Sequence, residues 1–221
     1  MPRRFLALPL VLASCSLLTP TEQSVPFVME APTVKVASPD EALLGQPAPN
    51  FTLVDQDGNM VSLEDFRGYP VVLEWFDPTC PTVRDMHING PVEGMSQDCG
   101  TSGVQFLAIN SCASGTPGCE LTANQEAHDL WNMSYPILFD TNGDIGHAYN
   151  ARRAPQMFVI DAEGILVYRG AMDNAPGGVV RKGEDGYRNY VDEALAAIEL
   201  DREVDFWKTR PYGCPVDYDI E

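Results

Sequence analysis

The residues with the most chemistry to offer in this sequence are its cysteines: Cys15, Cys80, Cys99, Cys112, Cys119 and Cys214. A thiolate is a nucleophile and a soft metal ligand, and two thiols store two electrons when they pair as a disulfide. Cys80 has the most consequential position. The run Val71–Phe76 is apolar except for Glu74 and reads as a buried strand, and Pro81 is placed to open a helix. Cys80 therefore falls between the carboxyl end of a strand, where open α/β sheets collect reactive groups, and a helix N-terminus. Unpaired N–H groups and the positive end of the helix dipole favour a thiolate there, lowering its pKa. The competing reading is a cysteine locked in a permanent structural disulfide.

Around that position the chain alternates strand and helix. Phe51–Val54 and Met60–Leu63 flank Asp57-Gly58-Asn59, a hairpin signal. The helix begun by Pro81 is interrupted at Gly90-Pro91, and Val104–Ile109 is a second apolar strand. Thr122-Ala123-Asn124-Gln125 is a capping-box pattern that predicts a helix running to Trp131. Pro136–Phe139 and Met157–Asp161 read as strands, the latter turning at Glu163-Gly164 into Ile165–Arg169. Tyr187, Tyr190, Val191, Ala194, Leu195 and Ile198 share one helical face and predict a helix over Tyr187–Leu200. Alternating βαβ, a closing hairpin and a final helix specify a three-layer α/β/α sandwich on a mixed central sheet.

The N-terminus reads as an address. Met1-Pro2-Arg3-Arg4 is basic, Phe5–Ala13 is apolar but too short to span a bilayer, and Leu12-Ala13-Ser14-Cys15 resembles the bacterial lipobox. Residues 1–14 are expected to be a lipoprotein signal peptide, Cys15 the lipidated residue and residues 15–44 a flexible tether. An ordinary secretory signal is the alternative. Ser16 after the lipidation site implies a periplasm-facing lipoprotein directed to the outer membrane. The formal charge of −18, with only three lysines and no clustered basic face, excludes nucleic-acid and polybasic membrane-surface roles.

Strand, turn, Cys80-Pro81 and helix, followed far downstream by Ala154-Pro155 leading into Met157–Asp161, resemble a thioredoxin-like fold. Gly45–Leu53, Asp57-Gly58, Val61–Gly68 and Val71–Leu73 are similar to the opening of the redoxin (alkyl hydroperoxide reductase/thiol-specific antioxidant) family, some of whose members are membrane-tethered. The resemblance spans residues 45–200 and implies a thioredoxin-like sandwich with an N-terminal β-hairpin extension. It also implies Cys80 as nucleophile, Pro155 in a cis peptide beside it, and either a redox partner protein or a peroxide as reactant, with no organic cofactor. Two departures stand out. Thioredoxin-type reductases carry C-x-x-C, but Val83 stands where the second cysteine would be. Typical peroxiredoxins carry P-x-x-x-T/S-x-x-C, and here those positions are Leu73 and Asp77. Asp77 beside a thiolate would raise its pKa by repulsion. Arg152 and Arg153, just before Pro155, are candidates to lie across the thiolate and stabilise it; a solvated surface pair is the alternative.

With Val83 in the resolving position, Cys80 needs a remote partner. Cys112 follows Val104–Ile109 and has a close neighbour in Cys119, so Cys112–Cys119 is expected as a structural staple. Cys214 lies in a C-terminal tail, residues 201–221, whose Phe206, Trp207 and Tyr212 are apolar enough to dock. About thirteen tail residues at ~3.3 Å each cross a small domain, so Cys214 is the expected resolving cysteine in a reducible Cys80–Cys214 bridge. Cys99 is then the odd thiol. Two rivals remain. One is a copper site built from Cys80, His87 and His147, although Arg84 replaces the second cysteine of the C-x-x-x-C seen in redoxin-fold copper chaperones. The other is a non-catalytic thioredoxin-fold binding lipoprotein. The reading carried forward is an exported thiol–disulfide oxidoreductase, with a peroxiredoxin-like thiol peroxidase as its nearest alternative.

Overall fold

The computed structural model describes residues 42–218. The expected signal peptide, Cys15 and nearly all of the expected tether lie outside the described residues, as does the side chain of Cys99.

The chain opens with β1 (Thr52–Asp55) and β2 (Met60–Ser62), the expected hairpin. Its turn is held by Asp55, whose Oδ1 accepts the N–H groups of Asp57 and Asn59 at 2.9 and 2.8 Å. Then come β3 (Val71–Trp75), α1 (Pro81–Ile88), α2 (Val92–Thr101) and β4 (Gln105–Asn110). They are followed by α3 (Leu121–Leu130), β5 (Ile137–Phe139), α4 (Asp144–Tyr149) and β6 (Arg153–Ala154). The last elements are β7 (Gln156–Ile160), β8 (Leu166–Gly170), α5 (Tyr190–Glu199) and β9 (Cys214–Pro215). Among the described residues one sheet has the order β2-β1-β5-β4-β3-β7-β8, and β6 with β9 forms a separate two-stranded ribbon. The β3–β4 and β4–β5 pairings are parallel and the other pairings of the large sheet are antiparallel. This is the mixed α/β sandwich the sequence specifies.

β3 sits between β4 and β7 with all its residues buried. Its side chains alternate between two cores, as the period of a strand requires. Val72 and the following Phe76 pack with Val83 and Met86 of α1, Val92 and Met95 of α2, and Val191 and Ala194 of α5. Val71, Leu73 and Trp75 pack on the other side with Phe51, Leu107, Ile109, Phe158 and, from α4, Ile145 and Tyr149. Gly90-Pro91 does separate α1 from α2, and a Cβ at Gly90 would lie 2.6 Å from the Met86 carbonyl oxygen.

Three local expectations need correction. α3 opens at Leu121 with Glu120 as its N-cap and no side-chain cap bond, so the Thr122 pattern is not a capping box. α5 starts at Tyr190, not Tyr187, because Asn189 caps it by accepting the N–H groups of Val191 and Asp192. Tyr187 instead lies outside the helix and is exposed. α4 was not foreseen: it is a single short helix between Gly143 and Asn150, both in left-handed conformation.

Candidate active site at the Cys80 turn

Cys80 is the N-cap of α1, in extended conformation, with Pro81 as the first helical residue. Its N–H donates to the Asp77 carbonyl at 3.1 Å, and its own carbonyl accepts from Arg84 N–H at 3.0 Å. Asp77 Oδ1 accepts both the backbone N–H of Thr79, at 2.8 Å, and its hydroxyl, at 2.7 Å. The Asp77 carboxylate is thereby used to build the turn that presents the cysteine. Cys80 is 1% exposed.

Cys80 is bonded to Cys214, with Cα atoms 5.9 Å apart across 134 residues of sequence. The Ala154-Pro155 peptide is cis, and the Ala154 carbonyl oxygen lies 3.2 Å from Cys80 Sγ. In the bonded state the sulfur has no proton to give. Once reduced, the thiol can donate to that oxygen. Ala154 belongs to β6, where it faces Cys214 of β9, while Arg153 faces Pro215. The ladder continues beyond the ribbon, with Val216 N–H donating to the Arg152 carbonyl at 3.1 Å.

Side chains pin the tail on both sides of Cys214. The Tyr212 hydroxyl donates to Asp173 Oδ1 at 2.6 Å. Tyr218 donates to the Ala151 carbonyl at 2.7 Å and stacks on His147, ring centroids 4.2 Å apart. Ala113 N–H donates to the Asp217 carbonyl at 2.8 Å. Gly213 is needed where it stands: its φ is +105°, and a Cβ there would run into the Ala154 carbonyl.

The two arginines before Pro155 are engaged elsewhere. Arg152 Nε donates to Asn150 Oδ1 at 2.8 Å, and Arg153 Nη1 donates to the Gly213 carbonyl at 3.2 Å. Among the described residues neither guanidinium is hydrogen-bonded to Cys80. Arg153 instead fastens the residue next to Cys214.

Cys112 follows β4 and is bonded to Cys119, Cα atoms 5.5 Å apart. β3 and β4 are parallel, so both disulfides emerge at one edge of the sheet. Cys112 borders a cavity of about 240 Å³ lined also by Asp77, Thr79, Ala154 and Asp217 among others.

Behind the turn lies a buried polar cluster that sequence reading missed. Glu74, the only break in the apolar run of β3, is fully buried; its Oε1 lies 3.1 Å from His87 Nε2, and its Oε2 accepts the Tyr135 hydroxyl at 2.8 Å. His87 Nδ1 lies 3.1 Å from Glu93 Oε1. Burial alone would lower the His87 pKa. The charge and hydrogen bond of Glu74, joined by those of Glu93, outweigh it and raise the pKa to about 9. His87 is thus held by carboxylates and His147 by Tyr218, and among the described residues no group of three or more His, Cys, Asp or Glu is arranged to hold a metal ion. A second missed residue is Asp140, whose carboxylate accepts the Ser111 hydroxyl and the N–H groups of Ile145 and Gly146, tying β4 to α4. Burial raises its pKa even against those donors.

Residues 43–185 match the sequence profile of the family described as Redoxin. The chain belongs to the redoxin family.

Relatives of this redoxin stand on both sides of thiol redox chemistry. A Synechocystis sp. protein provisionally named a peroxiredoxin is 28% identical over 198 residues, covering 79% of this chain and 85% of that protein. The thiol:disulfide interchange protein DsbE of Vibrio cholerae is 29% identical over 132 residues, which cover 59% of this chain and 66% of the relative. The thiol-disulfide oxidoreductase ResA of Geobacillus kaustophilus is 30% identical over 122 residues, covering 55% and 65%. A hypothetical protein from Sinorhizobium meliloti has a similar solved structure, with a TM-score of 0.71 and 25% identity over 81% of this chain and 96% of that one. With these relatives, this redoxin is an oxidoreductase.

Proposed function

We propose that this redoxin is an exported thiol–disulfide oxidoreductase in which Cys80 attacks and Cys214 resolves. The observation that carries the reading is the bond between a cysteine at a helix N-terminus and a tail cysteine held in a ladder opposite Ala154. Cys80 thiolate attacks one sulfur of a target disulfide, that bond breaks, and one target sulfur leaves as thiolate. Cys214 thiolate then attacks Cys80 Sγ, releasing the second target thiolate and closing Cys80–Cys214. Two electrons pass to the target, and the protons given up by the two cysteines neutralise its thiolates. A redox partner then reopens the pair by supplying two electrons. The cis peptide before Pro155 sets the Ala154 carbonyl against Cys80, and Arg153 serves the site through Gly213 by placing the resolving cysteine.

Mixed-disulfide trapping tests this. Cys214→Ser is expected to accumulate a Cys80-linked adduct with a small disulfide, and Cys80→Ser to form none at Cys214 of comparable yield. Equal adducts at both positions would contradict the assignment.

Peroxide reduction is the second reading, favoured by the relative with a peroxiredoxin name, whose alignment covers 85% of its length. Leu73 and Asp77 stand against it, because the groups that orient peroxide are missing. Hydrogen peroxide consumption that depends on Cys80 would support it.

Cellular placement rests on the first residues. A lipid on Cys15 would tether the domain of residues 45–200, with its tail, to the periplasmic side of a membrane. No helix among the described residues is long and apolar enough to cross one. Mass spectrometry of the mature N-terminus is expected to give a lipidated Cys15; an unmodified terminus elsewhere would remove the anchor.

A further inference from the structure

A cavity of about 470 Å³ is bordered by Pro211, Tyr212 and Gly213, the three tail residues that precede Cys214, and by Arg153, Arg181 and Arg210. Three guanidiniums around one hollow are notable in a chain with 32 acidic residues and a formal charge of −18. Among the described residues none of the three forms an ion pair; the salt bridges are those of His87, His128 and Arg188. Arg153 reaches the Gly213 carbonyl; Arg181 donates to the Arg210 carbonyl at 2.9 Å and lies 5.6 Å over the Tyr212 ring. The exposed Arg210 guanidinium makes no hydrogen bond among the described residues. Asp173, beneath Tyr212, is 4% exposed and is occupied by the hydroxyls of Tyr212 and Tyr187 and by Ala175 N–H. The hollow therefore has donors and positive charge to spare, and its lining ends at Gly213, the residue before Cys214.

We propose that this cavity binds small thiols bearing carboxylates and delivers their sulfur to Cys214. The inference rests on the proposed exchange at Cys80–Cys214 and names the class of reductant that reopens the pair. Its size suits a small ligand, for which cavities of about 300–1,000 Å³ are usual. An extended protein segment is a poorer fit, because the β6 edge that would pair with it is occupied by β9. Cys80 is buried under the tail, whereas Cys214 is only half-buried. The bound thiolate attacks Cys214 Sγ, the Cys80–Cys214 bond breaks, and Cys80 leaves as a thiolate at the N-terminus of α1. A second thiolate then attacks the small molecule's sulfur in the mixed disulfide, producing the symmetrical small disulfide and freeing Cys214. Two electrons enter the protein, and two protons from the small thiols end on Cys80 and Cys214.

The test uses oxidised full-length chain and three thiols of similar size: anionic 3-mercaptopropionate, neutral 2-mercaptoethanol and cationic cysteamine. Acid quenching, alkylation and peptide mapping give the opening rate of Cys80–Cys214 and, in the same sample, of Cys112–Cys119. The ratio of the two rates cancels the intrinsic reactivity of each thiol. Asp77 and Asp217 line the cavity next to Cys112, so the field there has the opposite sign. The ratio is expected to be largest for 3-mercaptopropionate and smallest for cysteamine, with a spread of about tenfold, the worth of one charge-assisted hydrogen bond. Arg210→Gln should remove much of that spread and Arg210→Glu should invert it. A ratio independent of thiol charge, or largest for cysteamine as the overall charge of the chain would dictate, would overturn the inference while leaving the exchange reading intact. A Cys80–Cys214 pair that none of the three thiols opens would overturn the exchange reading itself.

Discussion

Cys214 faces Ala154 in an antiparallel backbone pairing and is bonded to Cys80, whose sulfur lies against the carbonyl of that same Ala154. The second sulfur of the pair is thus located by main-chain hydrogen bonds and not by the short span of a C-x-x-C turn. Contacts at Tyr212, Val216, Asp217 and Tyr218 do not involve the disulfide. In the proposed exchange they would keep the tail, and with it Cys214, near Cys80 as an intramolecular reactant at high effective concentration once the bond opens.

Gly213→Ala tests that positioning. The substitution forces a side chain onto a φ of +105° and into the Ala154 carbonyl. A cost of about 1–3 kcal/mol is expected for such backbone strain, falling on the docked tail. The equilibrium constant for closing Cys80–Cys214 against a dithiol buffer should drop by about ten- to a hundredfold. An unchanged constant would mean that the tail docks independently of this residue.

Loss of the Cys112–Cys119 bridge should affect stability more than exchange. For its short loop, chain-entropy reasoning gives about 2–3 kcal/mol. Cys112→Ala with Cys119→Ala is expected to lower the denaturation midpoint accordingly and to leave Cys80-dependent exchange in place. Loss of exchange in a folded double variant would assign this pair a redox role.

The outline of the fold was legible because apolar runs and their period survive burial: Val71–Phe76 and Val104–Ile109 are the parallel pair at the centre of the sheet. Cys80 was legible for the same reason, being fixed by the strand before it and Pro81 after it. The β6–β9 ribbon was not, since two residues have no period and their partners are some sixty positions apart. Nor was α4, whose limits are set by two left-handed residues and by Asp140 reaching back to its first N–H groups. Glu74 did carry a signal, a charge inside a buried strand, but the histidine that answers it lies on the next helix. The arginines around the second cavity come from three separate segments, and only the folded chain brings them together.

The Glu74–His87–Glu93 cluster makes stability depend on pH in a defined direction. The folded-state pKa of His87, about 9, exceeds its ordinary 6.5. A raised pKa gives stabilisation that is complete below the lower value and lost as pH rises through the higher one. Unfolding free energy from denaturant titration is expected to fall between pH 6.5 and about 9. His87→Gln should cost about 3 kcal/mol or more at neutral pH, because it leaves Glu74 buried without its partner, and should flatten the decline. A wild-type profile flat across that window would refute the pairing.

Equilibration of the full chain in dithiol/disulfide buffers of stepped potential, followed by peptide mapping, tests the central claim most directly. Cys80–Cys214 is expected to open as a two-electron couple at a potential higher than that of Cys112–Cys119, within the range of exchange proteins. If Cys80–Cys214 instead stays closed below about −300 mV, where structural disulfides lie, or opens only after Cys112–Cys119, it is a staple and the account of Cys80 as a turnover nucleophile is wrong.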